Sequence, residues 1–254
     1  MRKLCFSLAA VACVLAASSS AGGARSTTTR VAAPFAQSWA HVPRTTAGRE
    51  AKDILVFGME QDIVGFNTAL QCCGSFWAAT TGNTPVIRGA YNIDNHLRHY
   101  ADLVSSAVAT KTSLTFTIRP NADWYWGGRR VPVTYKDFAF TWRAFINPKV
   151  DVSTRAGYDH ITGFTHKGAK QITFKWKKPY AAWQDIFGVI YPSQALAGQD
   201  FNKIWTNCIC GNDGKPISDG PFILTNYTGG QGSTFKVNPF WYGKKPKLKE
   251  VDFK

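Results

Sequence analysis

Two carboxylates one residue apart, Glu60 and Asp62, with the amide of Gln61 between them, are the first groups in the chain suited to chemistry. On an extended backbone, side chains at i and i+2 share a face roughly 6–7 Å apart, close to the spacing of the acid and base of an inverting glycoside hydrolase. A secreted carbohydrate-active enzyme with tryptophan-lined subsites is one way to use that pair. The other is binding, with loop carboxylates meeting a cationic group. No Gly-x-Ser-x-Gly elbow and no His-Glu-x-x-His helix accompanies them, so catalysis is not expected, and neither is a cofactor. His96 and His99 are spaced for one face of a helix, but without a third ligand they read as surface residues rather than a metal site.

Cysteine chemistry depends on compartment. Residues 1–24 have the layout of a secretory signal: Arg2 and Lys3, an apolar run from Leu4 to Ala17 too short to span a bilayer, then small residues. Cys13 after Ala10-Val11-Ala12 leaves a lipoprotein form open as an alternative. Export places Cys72, Cys73, Cys208 and Cys210 in an oxidising environment, where four thiols allow three pairings. The expectation is a staple joining the Cys72/Cys73 loop to the Cys208/Cys210 loop. Adjacent and once-removed cysteines fit the two-to-four-residue spacing of zinc sites poorly.

The formal charge is +14 and falls by only two when Arg2 and Lys3 leave with the signal. Basic blocks at Arg129-Arg130, at Lys175, Lys177 and Lys178, and at Lys244, Lys245, Lys247 and Lys249 lie beside aromatics. In an exported chain such charge reads as solubility or attraction to an anionic envelope, and nucleic acid is not an expected partner.

Residues 25–52, rich in Ser, Thr, Ala and Arg with two prolines, read as a flexible leader, and the fold starts near Asp53. Ile54–Gly58 is a continuous apolar run, the pattern of a buried strand that delivers Glu60, Gln61 and Asp62 to a loop at its carboxyl end, where open α/β sheets gather ligands. Gln71–Trp77 reads as the start of a helix or a loop packed by its aromatics. Ser113–Arg119 alternates Leu114, Phe116 and Ile118 against polar residues, and Lys170–Lys178 does the same with Ile172, Phe174 and Trp176. Gly127-Gly128 marks a turn. Thr134 is a helix N-cap before Phe138, Phe140, Trp142 and Phe145, and Asn147-Pro148 stops that helix. Strands bracketing a helix make this stretch an α+β unit.

Four blocks then occur in a telling order. Ser113–Pro120 precedes Ala122-Asp123-Trp124; Pro132-Val133-Thr134 leads into Asp137-Phe138 and Phe140-Thr141-Trp142; Lys177-Lys178-Pro179-Tyr180 is followed by Tyr191-Pro192; and Asp219-Gly220-Pro221-Phe222 is followed by Asn238-Pro239-Phe240-Trp241-Tyr242-Gly243. Over residues 53–254 this order resembles the extracellular solute-binding proteins of ABC importers, in the family that binds peptides, nickel and related solutes. Trp124–Arg130 departs from the family's Trp-Ser-Asp-Gly turn.

The resemblance implies a mixed α/β, periplasmic-binding-protein-like class II two-lobe fold, with the second large lobe missing from this chain. It implies a discontinuous first lobe from residues 53–85 plus 191–254 and an inserted α+β subdomain from residues 86–190. It also implies capture of an oligopeptide or similar small solute outside the cytoplasmic membrane, with an ABC permease and ATPase as partners and membrane association only through the permease or a lipid anchor. Glu60, Gln61 and Asp62 would meet a peptide amine, Tyr158, Trp77 and Trp183 would offer aromatic surface, and Gly220 would lie near the crossing between lobes.

Overall fold

The computed structural model describes residues 53–254; the signal, the lipoprotein alternative and the leader lie outside them. Among the described residues no helix is long and apolar enough to cross a membrane.

The apolar run forms β1 (Ile54–Phe57), which pairs in parallel with β13 (Glu250–Phe253), Ile54 opposite Glu250 and Phe57 opposite Phe253. Beyond β13 come β12 (Gly232–Val237) and β11 (Phe222–Thr228), both antiparallel, completing a four-stranded sheet in the order β1-β13-β12-β11. Phe235 and Val251 are buried from this sheet, but β1 is not: Ile54, Leu55, Val56 and Phe57 are 42%, 45%, 61% and 45% exposed. That corrects the expectation of a buried strand. A continuous apolar run is what two covered faces would require; here β1 is an edge strand.

A second four-stranded sheet is antiparallel throughout, in the order β4-β5-β9-β8, from β4 (Val104–Ala109), β5 (Ser113–Ile118), β8 (Ile161–Lys167) and β9 (Gln171–Trp176). Its inward residues are those the alternation predicts: Leu114, Phe116 and Ile118 are at most 1% exposed, and Ile172 and Phe174 are fully buried. Helix α1 (Tyr135–Ile146) packs on this face. The Thr134 hydroxyl accepts from the Lys136 amide while the Asp137 carboxylate accepts from the Thr134 amide, a capping box, and the helix ends at Asn147 before Pro148. Phe138, Phe174 and Phe187 meet there, with Phe174 and Phe187 stacked at 4.8 Å.

Two smaller sheets complete the described strands. β6 (Asp123–Trp126) and β7 (Arg129–Pro132) form a hairpin turned at Gly127 and Gly128, whose φ angles of +55° and +86° suit glycine, and β6 also pairs with β10 (Ile217–Ser218). β2 (Tyr91–Ile93) and β3 (His99–Ala101) make a hairpin of their own. This replaces the helix face expected for His96 and His99: Leu97 turns the chain with φ +60°, and His99 Nε2 lies 2.6 Å from Asp185 Oδ1.

The cysteines also depart from expectation. Cys72 pairs with Cys73 and Cys208 with Cys210, so each loop closes on itself and no staple joins them. The Cys73 amide donates to the Leu70 carbonyl at 3.2 Å, a tight local turn that puts neighbouring thiols within reach of each other before any distant partner. After Trp77 the chain takes a π-helical turn, Ala78–Asn83.

Residues 85–88 and 217–222 form a dense joint. The Asp219 and Gly220 amides both donate to the Val86 carbonyl, at 3.1 and 2.9 Å, and the Phe222 amide donates to Pro85 at 3.0 Å. The Arg88 amide donates to Asp219 Oδ1 at 2.8 Å, and its Nε to Asp102 Oδ2 at 2.6 Å. Tyr242, from the closing aromatic block, donates to Asp102 Oδ1 at 2.8 Å. Burial pushes the Asp219 carboxyl well up from its ordinary value, more than its donor from Arg88 lowers it.

Candidate functional site

Because β1 and β13 are parallel, both carboxyl ends point the same way, and the chain leaving β1 opens there. The ladder continues one step further: the Lys254 amide donates to Phe57 at 2.9 Å and the Met59 amide to Lys254 at 2.6 Å. Met59, Glu60, Gln61 and Asp62 then line an open depression of about 150 Å³, closed on its far side by Gly230, Gln231 and Gly232 from the turn between β11 and β12.

Asp62 fastens these walls together. Its Oδ1 accepts from the Ile63 amide at 2.9 Å and its Oδ2 from the Gly230 amide at 2.8 Å. The Tyr227 hydroxyl stands 3.1 Å from Oδ1 and 2.6 Å from the Ile63 carbonyl. Slight burial works to raise the Asp62 pKa, but the Ile63, Gly230 and Tyr227 donors outweigh it and hold the group below its ordinary value. Tyr227 is pushed up to about 12, by desolvation first and then by Asp62. Glu60 and Gln61 are, like Asp62, exposed. Residues 58–62 form bends and loop rather than strand, so the extended geometry that would aim Glu60 and Asp62 in one direction is not there.

An aromatic cluster gathers on Phe57 and Phe253, the last residues of β1 and β13. Trp77 lies 6.2 Å from Phe57, Phe57 5.9 Å from Phe253, and Phe76, 69% exposed, 5.4 Å from Trp77. The structure therefore brings Glu60, Gln61, Asp62 and Trp77 to one end of the sheet. Tyr158 and Trp183 lie elsewhere. Tyr158 is buried, stacked on Phe145 at 4.2 Å, and accepts from the Phe187 amide at 2.7 Å; desolvation raises its pKa. It floors a separate open groove of about 360 Å³ that includes Thr68, Ser153, Tyr180 and Asp185. Trp183 sits edge-on to Tyr91 at 5.5 Å. Gly220 lies in the joint, where a Cβ would come 2.5 Å from the Pro85 carbonyl.

Tyr227, Gly230, Gln231 and Lys254 escaped sequence reasoning. A Gly229-Gly230 pair is a turn signal, but nothing local to it points to a loop 168 residues away.

Comparison with known proteins fixes the family. The profile described as bacterial extracellular solute-binding proteins, family 5 Middle, matches residues 100–254. The chain belongs to that family. Among relatives of this family 5 chain, Protein XP55 of Streptomyces lividans is 27% identical over 139 residues, covering 54% of the chain and 24% of the relative. The probable monoacyl phosphatidylinositol tetramannoside-binding protein LpqW of Mycobacterium tuberculosis is 28% identical over 130 residues, covering 51% and 19%. Solved structures with the same fold include the periplasmic EDTA-binding protein EppA (TM-score 0.69, 24% identity, 79% of this chain and 39% of that one). The oligopeptide-binding protein AppA of Bacillus subtilis, in complex with a nonapeptide, gives a TM-score of 0.67 at 18% identity, over 79% and 39%. These are two-lobe periplasmic binding proteins, and the family 5 chain spans about two-fifths of their length.

Proposed function

We propose that this chain is the solute-capturing component of an ABC importer, acting outside the cytoplasmic membrane to take an oligopeptide or similar small solute and present it to a permease whose ATPase supplies the energy. The chain itself performs no chemistry. The observation that carries this is the Met59–Asp62 loop, which opens a depression at the carboxyl end of a parallel strand pair that also carries an aromatic cluster, in a family of solute-binding proteins. Glu60 would receive a peptide amine, Gln61 would bond a peptide amide, and Trp77 would cover apolar side chains. Asp62 would hold the loop in place.

Residues 53–85 and 191–254 would form the first lobe around the β1-β13-β12-β11 sheet, and residues 86–190 the inserted subdomain around the β4-β5-β9-β8 sheet. The 85–88 and 217–222 joint would keep the two in register, with Gly220 at the crossing. Two-lobe binders gain affinity by enclosing the solute. A depression of about 150 Å³ is smaller than the roughly 300–1,000 Å³ of enclosing ligand pockets. Affinity of this chain alone would therefore be weak, with Kd above roughly 0.1 mM.

Calorimetric titration with separate pools of short peptides, sugars and metal complexes tests this. Weak saturable heat with peptides supports it; no binding to any pool sinks solute capture, and micromolar binding by the 254-residue chain refutes the weak, open site.

A further inference from the structure

The basic blocks of the sequence are not used by the proposed capture site, and one of them is built into the fold in a way that suggests a partner. Residues 243–249 form a loop between Tyr242 and β13 on which Lys244, Lys245, Lys247 and Lys249 are all exposed. The loop is held at both ends. On one side the Trp241 indole Nε1 donates to the Lys244 carbonyl at 3.2 Å, the Tyr242 hydroxyl is bound to Asp102, and Asn238 Nδ2 donates to the Gly220 carbonyl at 2.8 Å. On the other, the Lys249 amide donates to the Asp53 carbonyl at 2.8 Å, and its ammonium lies 2.7 Å from the Asp53 carboxylate.

Lys249 is thereby neutralised. Among the described residues no carboxylate lies within 4.0 Å of the ammonium groups of Lys244, Lys245 or Lys247, and the nearby Glu250 is matched to Lys236. Three unpaired positive charges thus stand on a short anchored loop beside the partly exposed Trp241. The contact with Asp53 ties the loop to the first described residue of the chain.

We propose that the Lys244–Lys247 loop is a docking surface for an anionic lipid bilayer, which would orient the folded body at the membrane. Lysines are compact charges on flexible stems, suited to a diffuse field of headgroups rather than to one fixed ligand. Each lysine close to an acidic membrane surface adds to the attraction, and a neighbouring tryptophan favours the interface. The second lysine cluster, Lys175, Lys177 and Lys178 at the end of β9, lies on the other four-stranded sheet and provides an internal control of equal charge. Placement outside the cytoplasmic membrane belongs to the proposed function, but lipid binding is read independently of any solute.

The test is co-sedimentation of the 254-residue chain with vesicles of phosphatidylglycerol and phosphatidylcholine, against phosphatidylcholine alone. The expected result is a preference for the acidic vesicles that is lost as salt rises from about 0.1 to about 0.5 M. Lys244→Gln, Lys245→Gln and Lys247→Gln together should weaken that preference roughly 100-fold. Lys175→Gln, Lys177→Gln and Lys178→Gln together should change it less than about threefold. An excess of free glycerol phosphate should leave it intact, because the surface and not a single headgroup is recognised. Equal binding to both vesicle types, no loss in the first triple variant, equal loss in both, or displacement by glycerol phosphate would each overturn the proposal. Unchanged circular dichroism and melting in both variants keep folding out of the comparison.

Discussion

The two four-stranded sheets of this protein use apolar residues in opposite ways. In the β4-β5-β9-β8 sheet the apolar positions alternate, one face is covered by α1, and Leu114, Phe116, Ile172 and Phe174 vanish from solvent. In the β1-β13-β12-β11 sheet the most apolar strand stands at the edge with all four residues exposed, beside an open depression and an aromatic cluster. The first arrangement stabilises; the second leaves apolar surface open to solvent. Hydrophobic burial is proportional to the area removed from water, so identical residue types contribute fully on one sheet and only about half as much on the edge strand of the other.

The contrast can be broken or sharpened by substitution. Phe174→Ala removes a ring shared by Phe116, Trp142, Phe164 and Phe187 and should cost about 3–5 kcal/mol in denaturant unfolding. Gly220→Ala puts a methyl against the Pro85 carbonyl in the joint and should cost about 1–3 kcal/mol. Asp62→Asn weakens the link between the loop after β1 and the β11–β12 turn; with the group largely in solvent, about 1 kcal/mol or less is expected. The same residue sets a pH dependence. Its pKa is lower folded than unfolded, so its contribution is present above the ordinary carboxylate value near 4 and is lost as pH falls through the depressed value. The protection factor of the Gly230 amide, its intrinsic exchange rate divided by the observed rate at each pH, should fall over that acid window in the parent chain and stay flat across it in Asp62→Asn. Val56→Ala, on the exposed edge, should shift stability by no more than about 0.5 kcal/mol. A loss near that of Phe174→Ala would mean the edge is covered after all.

Several local determinants could be read directly in the sequence. The alternation in β5 and β9, the Thr134 cap with Asp137 three residues on, and the Gly127-Gly128 turn each specify their own geometry. What stayed hidden depends on which neighbours, near or distant, the chain finally meets. A continuous apolar run says that a strand could be covered on both faces, not whether cover is supplied, and β1 shows the difference. His96 and His99 carry helical spacing, yet pairing of Tyr91–Ile93 with His99–Ala101 makes a hairpin. Four cysteines allowed a long-range staple, and local turns closed each pair instead. Glu60, Gln61 and Asp62 were singled out because they follow a strand and Trp77 because it is aromatic; all four come to the end of that strand. Asp62's bonds to Gly230 and Tyr227 were not legible, since they join segments far apart in the chain.

The central claim is that solute meets this chain at the carboxyl end of the β1/β13 pair, and amide chemical-shift mapping during titration with short peptides tests it most directly. Small saturable shifts are predicted at Met59–Asp62, Gly230–Gly232 and Trp77, with millimolar midpoints and no change around Tyr158 or Trp183. Shifts centred on the Tyr158 groove, or a spectrum unmoved at the highest peptide concentration, would contradict it.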